Sequence, residues 1–158
     1  MSKLEELEKK YKELGEEIER LKNEGKVWKP KEDEDYWVIE PDGDVFGSNW
    51  DDCPQERAMY SMGNCFKTEE EAEAMAEKIK IYTELKRLAE EINTEPIDWG
   101  NVNQIKHYIM YDEGEKRFEQ YMAFEVYGAG NIYSTNKDFL EIAKQRIGED
   151  RLLKLFKE

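Results

Sequence analysis

A short sequence pattern occurs twice in this chain, once in each half. Residues 63–68, Gly-Asn-Cys-Phe-Lys-Thr, match residues 130–135, Gly-Asn-Ile-Tyr-Ser-Thr, at an offset of 67 positions (130 − 63). Upstream, residues 37–44 match residues 108–115 at an offset of 71 positions (108 − 37), and both segments combine a strand pattern with an acidic, glycine-centred turn. Self-similarity of this kind indicates a repeated supersecondary unit. We therefore expect a hairpin, a third strand and a capped helix in each half.

This repeat predicts an α+β fold. Each unit alone would leave one sheet face exposed, so we expect the two units to form one antiparallel sheet packed by helices. The chain has 158 residues, which is enough for one domain with an appendage. In this interpretation residues 1–26 form an N-terminal coiled-coil helix, and residues 27–158 form an α+β domain made of repeats at about 27–95 and 96–158.

The N-terminal segment has the apolar spacing of a heptad repeat. Apolar residues recur alternately three and four positions apart, at Leu4, Leu7, Tyr11, Leu14, Ile18 and Leu21. Two apolar positions per heptad give a stripe narrower than that of a helix lying on a globular core, so the pattern favours pairing between chains. We expect this helix to form a homodimer, and the alternative is that it folds back on its own domain.

The chain is strongly acidic, with 24 Lys and Arg against 38 Asp and Glu, a net charge of −14. Because Lys and Arg must neutralise phosphates, this balance argues against direct binding to nucleic acid or to anionic lipid. No apolar run is as long as a membrane span, and the charged first residues are unlike a secretory signal. We expect a cytoplasmic protein that binds neither nucleic acid nor membrane.

Most of the excess negative charge lies between residues 27 and 75, which carry 4 basic and 14 acidic residues (4 − 14 = −10). Such a surface attracts a partner protein with a basic surface. The alternative is that the charge only confers solubility. The candidate partner-binding carboxylates are Glu32, Asp33, Glu34, Asp35, Asp42, Asp44, Asp51 and Asp52.

Sequence motifs for catalysis or metal binding are lacking. Cys53, Cys65 and His107 are the chain's entire set of cysteine and histidine side chains, too few for a typical zinc site. Two Asp-x-Asp pairs, Asp33 with Asp35 and Asp42 with Asp44, lack the further oxygen ligands of a calcium-binding loop. The sequence also has no glycine-rich phosphate-binding motif and no Gly-x-Ser-x-Gly nucleophile motif. We therefore expect no enzyme activity, no catalytic residue, no metal and no cofactor.

The aromatic residues suggest a second kind of surface. Residues 118–127 are predicted to form a strand whose core face carries Phe118, Met122, Phe124 and Val126. Its other face is a mixture of tyrosines, carboxylates and one alanine, namely Glu119, Tyr121, Ala123, Glu125 and Tyr127. Tyrosine provides contact area and a hydroxyl at low entropic cost, so this second face suits a partner surface.

Aromatic residues could also form a small-ligand pocket between the repeats. Its candidate residues are Trp37, Trp50, Arg57, Tyr108, Tyr111, Tyr121 and Tyr127. Such rings could stack a nucleotide base, with Arg57 or Arg117 binding phosphate. The alternative is that these aromatic residues belong to the core of a small sheet.

Several segments of the chain together resemble a group of small phage and prophage proteins of Gram-positive bacteria. The segments are a coiled-coil start, Trp28-Lys29-Pro30 and residues 36–39, 43–45, 63–73, 108–112 and 147–152. The resemblance implies a non-enzymatic accessory protein that binds and inhibits a host factor, such as a component of anti-phage defence. The alternatives are a protein that sequesters a nucleotide signal and a structural or assembly subunit.

Overall fold

The computed structural model describes residues 3–23, 25 and 27–157 and has a mixed α+β architecture, as predicted. Residues 24 and 26, at the predicted domain boundary, lie outside the described residues. In chain order the elements are α1 (Lys3–Asn23), β1 (Asp35–Ile39), β2 (Val45–Asn49), α2 (Pro54–Ser61), α3 (Glu69–Ile92), β3 (Lys106–Asp112), β4 (Arg117–Ala123), β5 (Tyr133–Ser134), α4 (Phe139–Ile147) and α5 (Glu149–Phe156).

The strands of the described residues form two antiparallel sheets rather than the single sheet that was predicted. Strands β1 and β2 form a hairpin, and Phe66 adds an isolated bridge to Trp37 of β1. The second sheet has the order β4-β3-β5. Both sheets contact the long helix α3, so each packs on this shared helix instead of pairing with the other sheet.

The two halves share one pairing detail that matches the sequence repeat. Phe66 pairs with Trp37 in the first sheet, and Tyr133 pairs with Tyr108 in the second. These pairs correspond under the offsets of 67 and 71 residues (133 − 66 and 108 − 37). The helices that follow these pairs do not correspond. Helix α3 has 24 residues and is capped by Thr68, whereas α4 has 9 residues and begins after Asp138, three residues beyond the matching Thr135. Duplication stays a prediction.

The main hydrophobic core lies between the second sheet and helices α3, α4 and α5. Its largest contributors are buried aliphatic and aromatic side chains: Ile81, Leu85, Leu88, Ile109, Phe118, Phe139 and Leu152. Gly148, with a φ of +93°, makes the sharp junction between α4 and α5 that brings Leu152 into this core. All three helices therefore pack on the same face of the β3–β4 hairpin.

A smaller cluster forms around the first sheet and helix α2. Helix α2 begins at Pro54, a residue suited to the first turn of a helix. Its buried Glu56 accepts hydrogen bonds from the backbone N–H groups of Asp51 (2.9 Å) and Cys53 (3.1 Å), and from the Tyr36 hydroxyl (3.1 Å). Glu56 thus joins the start of α2 to β1.

No helix in the described ranges is long and apolar enough to cross a membrane.

Burial alone raises the pKa of Glu56, but the hydrogen bonds from Cys53, Asp51 and Tyr36 outweigh it, and the pKa lies below the ordinary value. A carboxyl whose pKa is lower in the folded than in the unfolded chain stabilises the fold at neutral pH. That contribution is lost as the pH falls through the lowered pKa.

We predict that Glu56→Gln destabilises the protein by about 1–3 kcal/mol at neutral pH, because buried donors lose a charged acceptor. The variant should also lose less stability on acidification than the unmodified protein. Urea unfolding followed by circular dichroism at neutral and acidic pH measures both effects. Glu141→Gln, at an exposed position on α4, is the matched control. Equal acid sensitivity of the Glu56 variant and the unmodified protein would contradict the assigned role.

Candidate functional site

The second sheet has one face covered by helices and one face without them. Ile109 of β3 and Phe118 of β4 are buried on the helix side. Because side chains alternate along a strand, Tyr108 and Tyr121 project from the opposite face. These two tyrosines lie directly opposite each other in the β3–β4 register. The open face therefore begins with a cross-strand tyrosine pair.

Together with this tyrosine pair, three more aromatic residues form a line of five neighbouring rings on the open face. The Tyr108 ring centroid lies 5.8 Å from that of Tyr121 and 5.4 Å from that of Tyr133 on β5. The Trp99 centroid lies 5.0 Å from that of Tyr133 and 5.1 Å from that of Tyr127. We call these residues the aromatic row: Tyr121, Tyr108, Tyr133, Trp99 and Tyr127.

A buried lysine holds the loops of the aromatic row in place. Lys106 of β3 is fully buried, and its Nζ donates hydrogen bonds to the carbonyl oxygens of Phe124 (2.8 Å) and Asn101 (3.3 Å). The same Nζ lies 5.0 Å from the centroid of the Trp99 ring, a cation–π contact. Lys106 thus connects the loop before β3 to the chain that follows β4.

Carboxylates lie near both ends of the row, Glu119 at Tyr121 and Glu125 near Tyr127. Glu119 accepts hydrogen bonds from the Tyr121 hydroxyl (2.6 Å) and from Nη2 of Arg117 (2.7 Å). The hydrogen bonds from Tyr121 and Arg117 lower the pKa of Glu119. The hydrogen bond between Tyr121 and Glu119 also raises the pKa of the Tyr121 hydroxyl. Glu125 is a further exposed carboxylate, close to Tyr127 in the chain. The Arg117 cation is engaged by Glu119, and Lys106 is buried.

A groove of about 510 Å³ lies beside the row, and its lining includes Tyr108, Tyr127, Tyr133 and Glu125. The Tyr133 hydroxyl accepts hydrogen bonds from the backbone N–H of Gly128 (2.6 Å) and from Asn131 Nδ2 (3.3 Å). These bonds fix one wall of the groove. The groove therefore combines aromatic faces with a carboxylate, a lining suited to an extended or cationic group.

The predicted aromatic pocket is divided between the two sheets. Tyr108, Tyr121 and Tyr127 all belong to the row, whereas Tyr111 points to the helix side and packs on Phe118 with centroids 5.0 Å apart. The other candidates lie with the first sheet: Trp37 in β1, Trp50 buried against Tyr36, and Arg57 on α2.

The aromatic row includes two residues, Tyr133 and Trp99, that are not among the residues predicted from the sequence. Tyr133 lies in the repeated motif, where its pairing with Tyr108 could have been inferred from the Phe66–Trp37 correspondence. Trp99 lies in an irregular segment, residues 96–104, with no periodicity to place it. Its position depends on Lys106, which the charge pattern alone does not distinguish from a surface lysine.

The predicted strand 118–127 is shorter than expected, since β4 ends at Ala123. The assignment of Met122, Phe124 and Val126 to the core is wrong, because these side chains are 61%, 45% and 81% exposed. Phe118 is buried as predicted. The core helices cover the Phe118 end of the hairpin, and its Met122 end extends beyond them.

The predicted partner-binding carboxylates lie at opposite ends of the first hairpin, separated by strands about 17 Å long. Residues 32–35 and 51–52 lie at the open end, where the Asp33 and Trp50 backbones are hydrogen-bonded, while Asp42 and Asp44 lie in the turn. Four of the eight also have local roles: Glu34 accepts from Lys31, Asp35 from Asn49 and Asp42 from Asp44, and Asp52 lies 3.6 Å from Arg57.

Within the described ranges, the carboxylates of Glu32, Asp33, Asp44 and Asp51 have no hydrogen bond or ion pair. All four of these residues are exposed. They are therefore available to attract a cationic partner without loss of a local contact.

The predicted oligomerisation residues of α1 form an uncovered stripe. Leu4, Leu7, Tyr11, Leu14, Ile18 and Leu21 are between 44% and 82% exposed. An exposed ion pair, Lys31 Nζ to Glu19 Oε2 at 3.2 Å, connects the helix to the chain that follows it. The apolar stripe of α1 is thus not covered by the described part of its own chain.

The residues with nucleophilic or metal-binding chemistry lie outside the row. His107 is buried on the helix side, and burial lowers its pKa despite the nearby Asp138 carboxylate. Burial raises the pKa of the Cys65 thiol. No group of three or more potential metal ligands is assembled in the part of the chain that the structure describes.

No protein-family model, curated protein or solved structure matches this chain.

Proposed function

We propose that this chain is a non-enzymatic, phage-encoded accessory protein that dimerises through α1 and binds a basic host protein on the aromatic row, inhibiting it. The observation that carries the proposal is the row itself, which crosses an uncovered sheet face and ends beside Glu119. The phage origin, the bacterial host and the inhibition of a defence component rest on the sequence resemblance.

The chemistry of the row favours cationic side chains. A Lys or Arg side chain over an aromatic ring contributes about 0.5–1 kcal/mol at an exposed site, and about 2 kcal/mol when water is excluded. Glu125 lines the groove beside the rings and complements such a charge. Near Tyr121, the carboxylates of Asp112 and Glu119 outnumber the single cation of Arg117. Tyrosines are also favoured at interfaces because each buries a large ring and retains a hydroxyl for hydrogen bonding. These features support a basic protein surface as the partner.

The same geometry gives less support to a nucleotide signal. Arg57 lies on α2 with the other sheet, 3.6 Å from Asp52, and Arg117 is bound to Glu119. Neither arginine therefore offers an unpaired cation for a phosphate at the row. Carboxylates next to the rings would repel the phosphate groups. The observations favour a protein partner over a phosphorylated ligand.

The acidic ends of the first hairpin supply long-range attraction in this proposal. Glu32, Asp33 and Asp51 are exposed and unpaired within the described residues, and the chain carries a net charge of −14. Exposed charges of this kind mainly raise the association rate and make it depend on salt concentration. The dissociation rate is determined mainly by contacts from which water is excluded. The carboxylates would therefore attract the partner, and the aromatic row would retain it.

The uncovered apolar stripe of α1 supports self-association, because most of the stability of a helix in a protein comes from packing of its apolar face rather than from helix propensity. We predict that Leu7→Asp with Leu14→Asp converts the dimer into a folded monomer, since charges in the seam oppose helix pairing. Sedimentation equilibrium gives the mass, and circular dichroism reports folding. The matched control, Lys9→Asp with Glu16→Asp, changes exposed positions outside the seam and should remain dimeric. A dimeric seam variant would contradict this role of α1.

Partner binding is tested on the aromatic row itself. We predict that Tyr121→Ala with Tyr127→Ala reduces capture of basic proteins from a Gram-positive lysate by about tenfold or more, because two aromatic contacts are removed. Phe46→Ala, which removes an exposed aromatic ring from the other sheet, is the matched control and should capture as the unmodified protein does. Quantitative mass spectrometry of the bound fraction measures the effect. Equal capture by the tyrosine variant would contradict the proposal.

A further inference from the structure

Strand β4 forms an edge of the second sheet. It pairs with β3 on one side, and in the sheet order β4-β3-β5 no described strand pairs with its other side. An edge strand presents unpaired backbone N–H and C=O groups and is a template for another strand. Natural edges are commonly protected by proline, lysine or a bulge. The sequence of β4, Arg-Phe-Glu-Gln-Tyr-Met-Ala, contains neither proline nor lysine, and its two charged side chains, Arg117 and Glu119, form an ion pair with each other.

The side chains at this edge differ between its two sides. Glu119 and Tyr121 belong to the open face with the aromatic row, and Tyr121 is the ring of the row that lies on β4. Met122 alternates to the helix side but is 61% exposed, because the helices do not extend over it. The edge therefore offers a carboxylate and an aromatic ring on one side and an apolar side chain on the other.

We propose that the partner binds by adding an extended segment to the edge of β4, with alternating basic and apolar residues. Basic side chains of the segment lie against Tyr121 and Glu119, and its apolar side chains cover Met122. Successive side chains of a strand point to opposite faces of the sheet, so a segment of alternating basic and apolar residues places its basic side chains on the open face and its apolar side chains on the helix side. The inference rests on the proposed function, since it assumes that the basic partner is a protein.

Charge complementarity favours this occupant over a second copy of the chain. A second copy would bring the same excess of negative charge to this edge, because Asp112 and Glu119 outnumber Arg117 on the open face and the protein has a net charge of −14. A basic segment instead meets opposite charge on the open face. Backbone hydrogen bonds along the edge would supply affinity, and the alternating side chains would supply selectivity.

A short peptide in which Lys and Val alternate provides the probe. In an added strand the N–H groups of alternate residues point towards β4, and the others point to solvent. Two derivatives are made, one N-methylated on the Val residues and the other on the Lys residues. We expect one derivative to bind at least about tenfold more weakly than the parent peptide and the other to bind like the parent, as judged by fluorescence anisotropy. The affected derivative also identifies the strand direction.

Protein variants tested with the same peptide locate the edge. Met122→Lys should weaken binding of the parent peptide by about tenfold, because it replaces the apolar contact by a like charge. Met62→Lys, at an exposed position outside the second sheet, is the charge-matched control and should bind like the unmodified protein.

The outcomes separate the two proposals. If both N-methylated peptides bind like the parent, or both are weakened equally, strand addition is overturned. The proposed function survives that result if Tyr121→Ala still weakens the parent peptide. If the parent peptide does not bind, or binds the Tyr121→Ala variant unchanged, the proposed function fails as well.

Discussion

Packing of three helices on one face of the second sheet is the constraint that shapes the rest of this structure. Helices α3, α4 and α5 bury Ile109 and Phe118, so the alternate residues of the same strands must face the other way. That outer face receives no helix and carries aromatic rings instead. Lys106, buried beneath Trp99, holds the adjoining loops so that the rings form a continuous row. The open face is thus a product of the same packing that forms the core.

Charge and self-association are assigned in this account to residues other than those of the aromatic row. The unpaired carboxylates of the first hairpin add negative charge without forming the contact surface. Helix α1 is connected to the body by an exposed ion pair and presents its apolar stripe outwards. A dimer formed through α1 would carry two rows, and two linked sites raise the effective affinity for a partner with repeated basic segments. Attraction, contact and assembly are therefore assigned to different parts of the chain.

The fold was predictable where periodicity was strong, and the candidate site was predictable only in part. Alternation and turn residues predict the two hairpins, and alternation along β4 correctly places Tyr121 on the face opposite the buried Phe118. That this face binds a partner stays a prediction. Helix α2 was missed because it is short and its anchor, Glu56, is a charged residue that becomes buried only through tertiary hydrogen bonds. Strand alternation predicts which face of the sheet Met122 lies on, and this face is the one that the helices cover elsewhere. Alternation does not predict how far along the strand the helices extend, so the predicted burial of Met122 is wrong. Trp99 was missed because its position depends on a long-range contact with Lys106.

The most direct test of the central claim is an NMR titration of the protein, labelled on tyrosine, with the alternating Lys–Val peptide. The rings of Tyr108, Tyr121 and Tyr133 belong to the aromatic row, whereas Tyr36 and Tyr60 belong to the cluster of the first sheet and act as internal controls. The account predicts saturable shifts confined to the row. Shifts confined to Tyr36 and Tyr60, or no shift at any tyrosine, would contradict it.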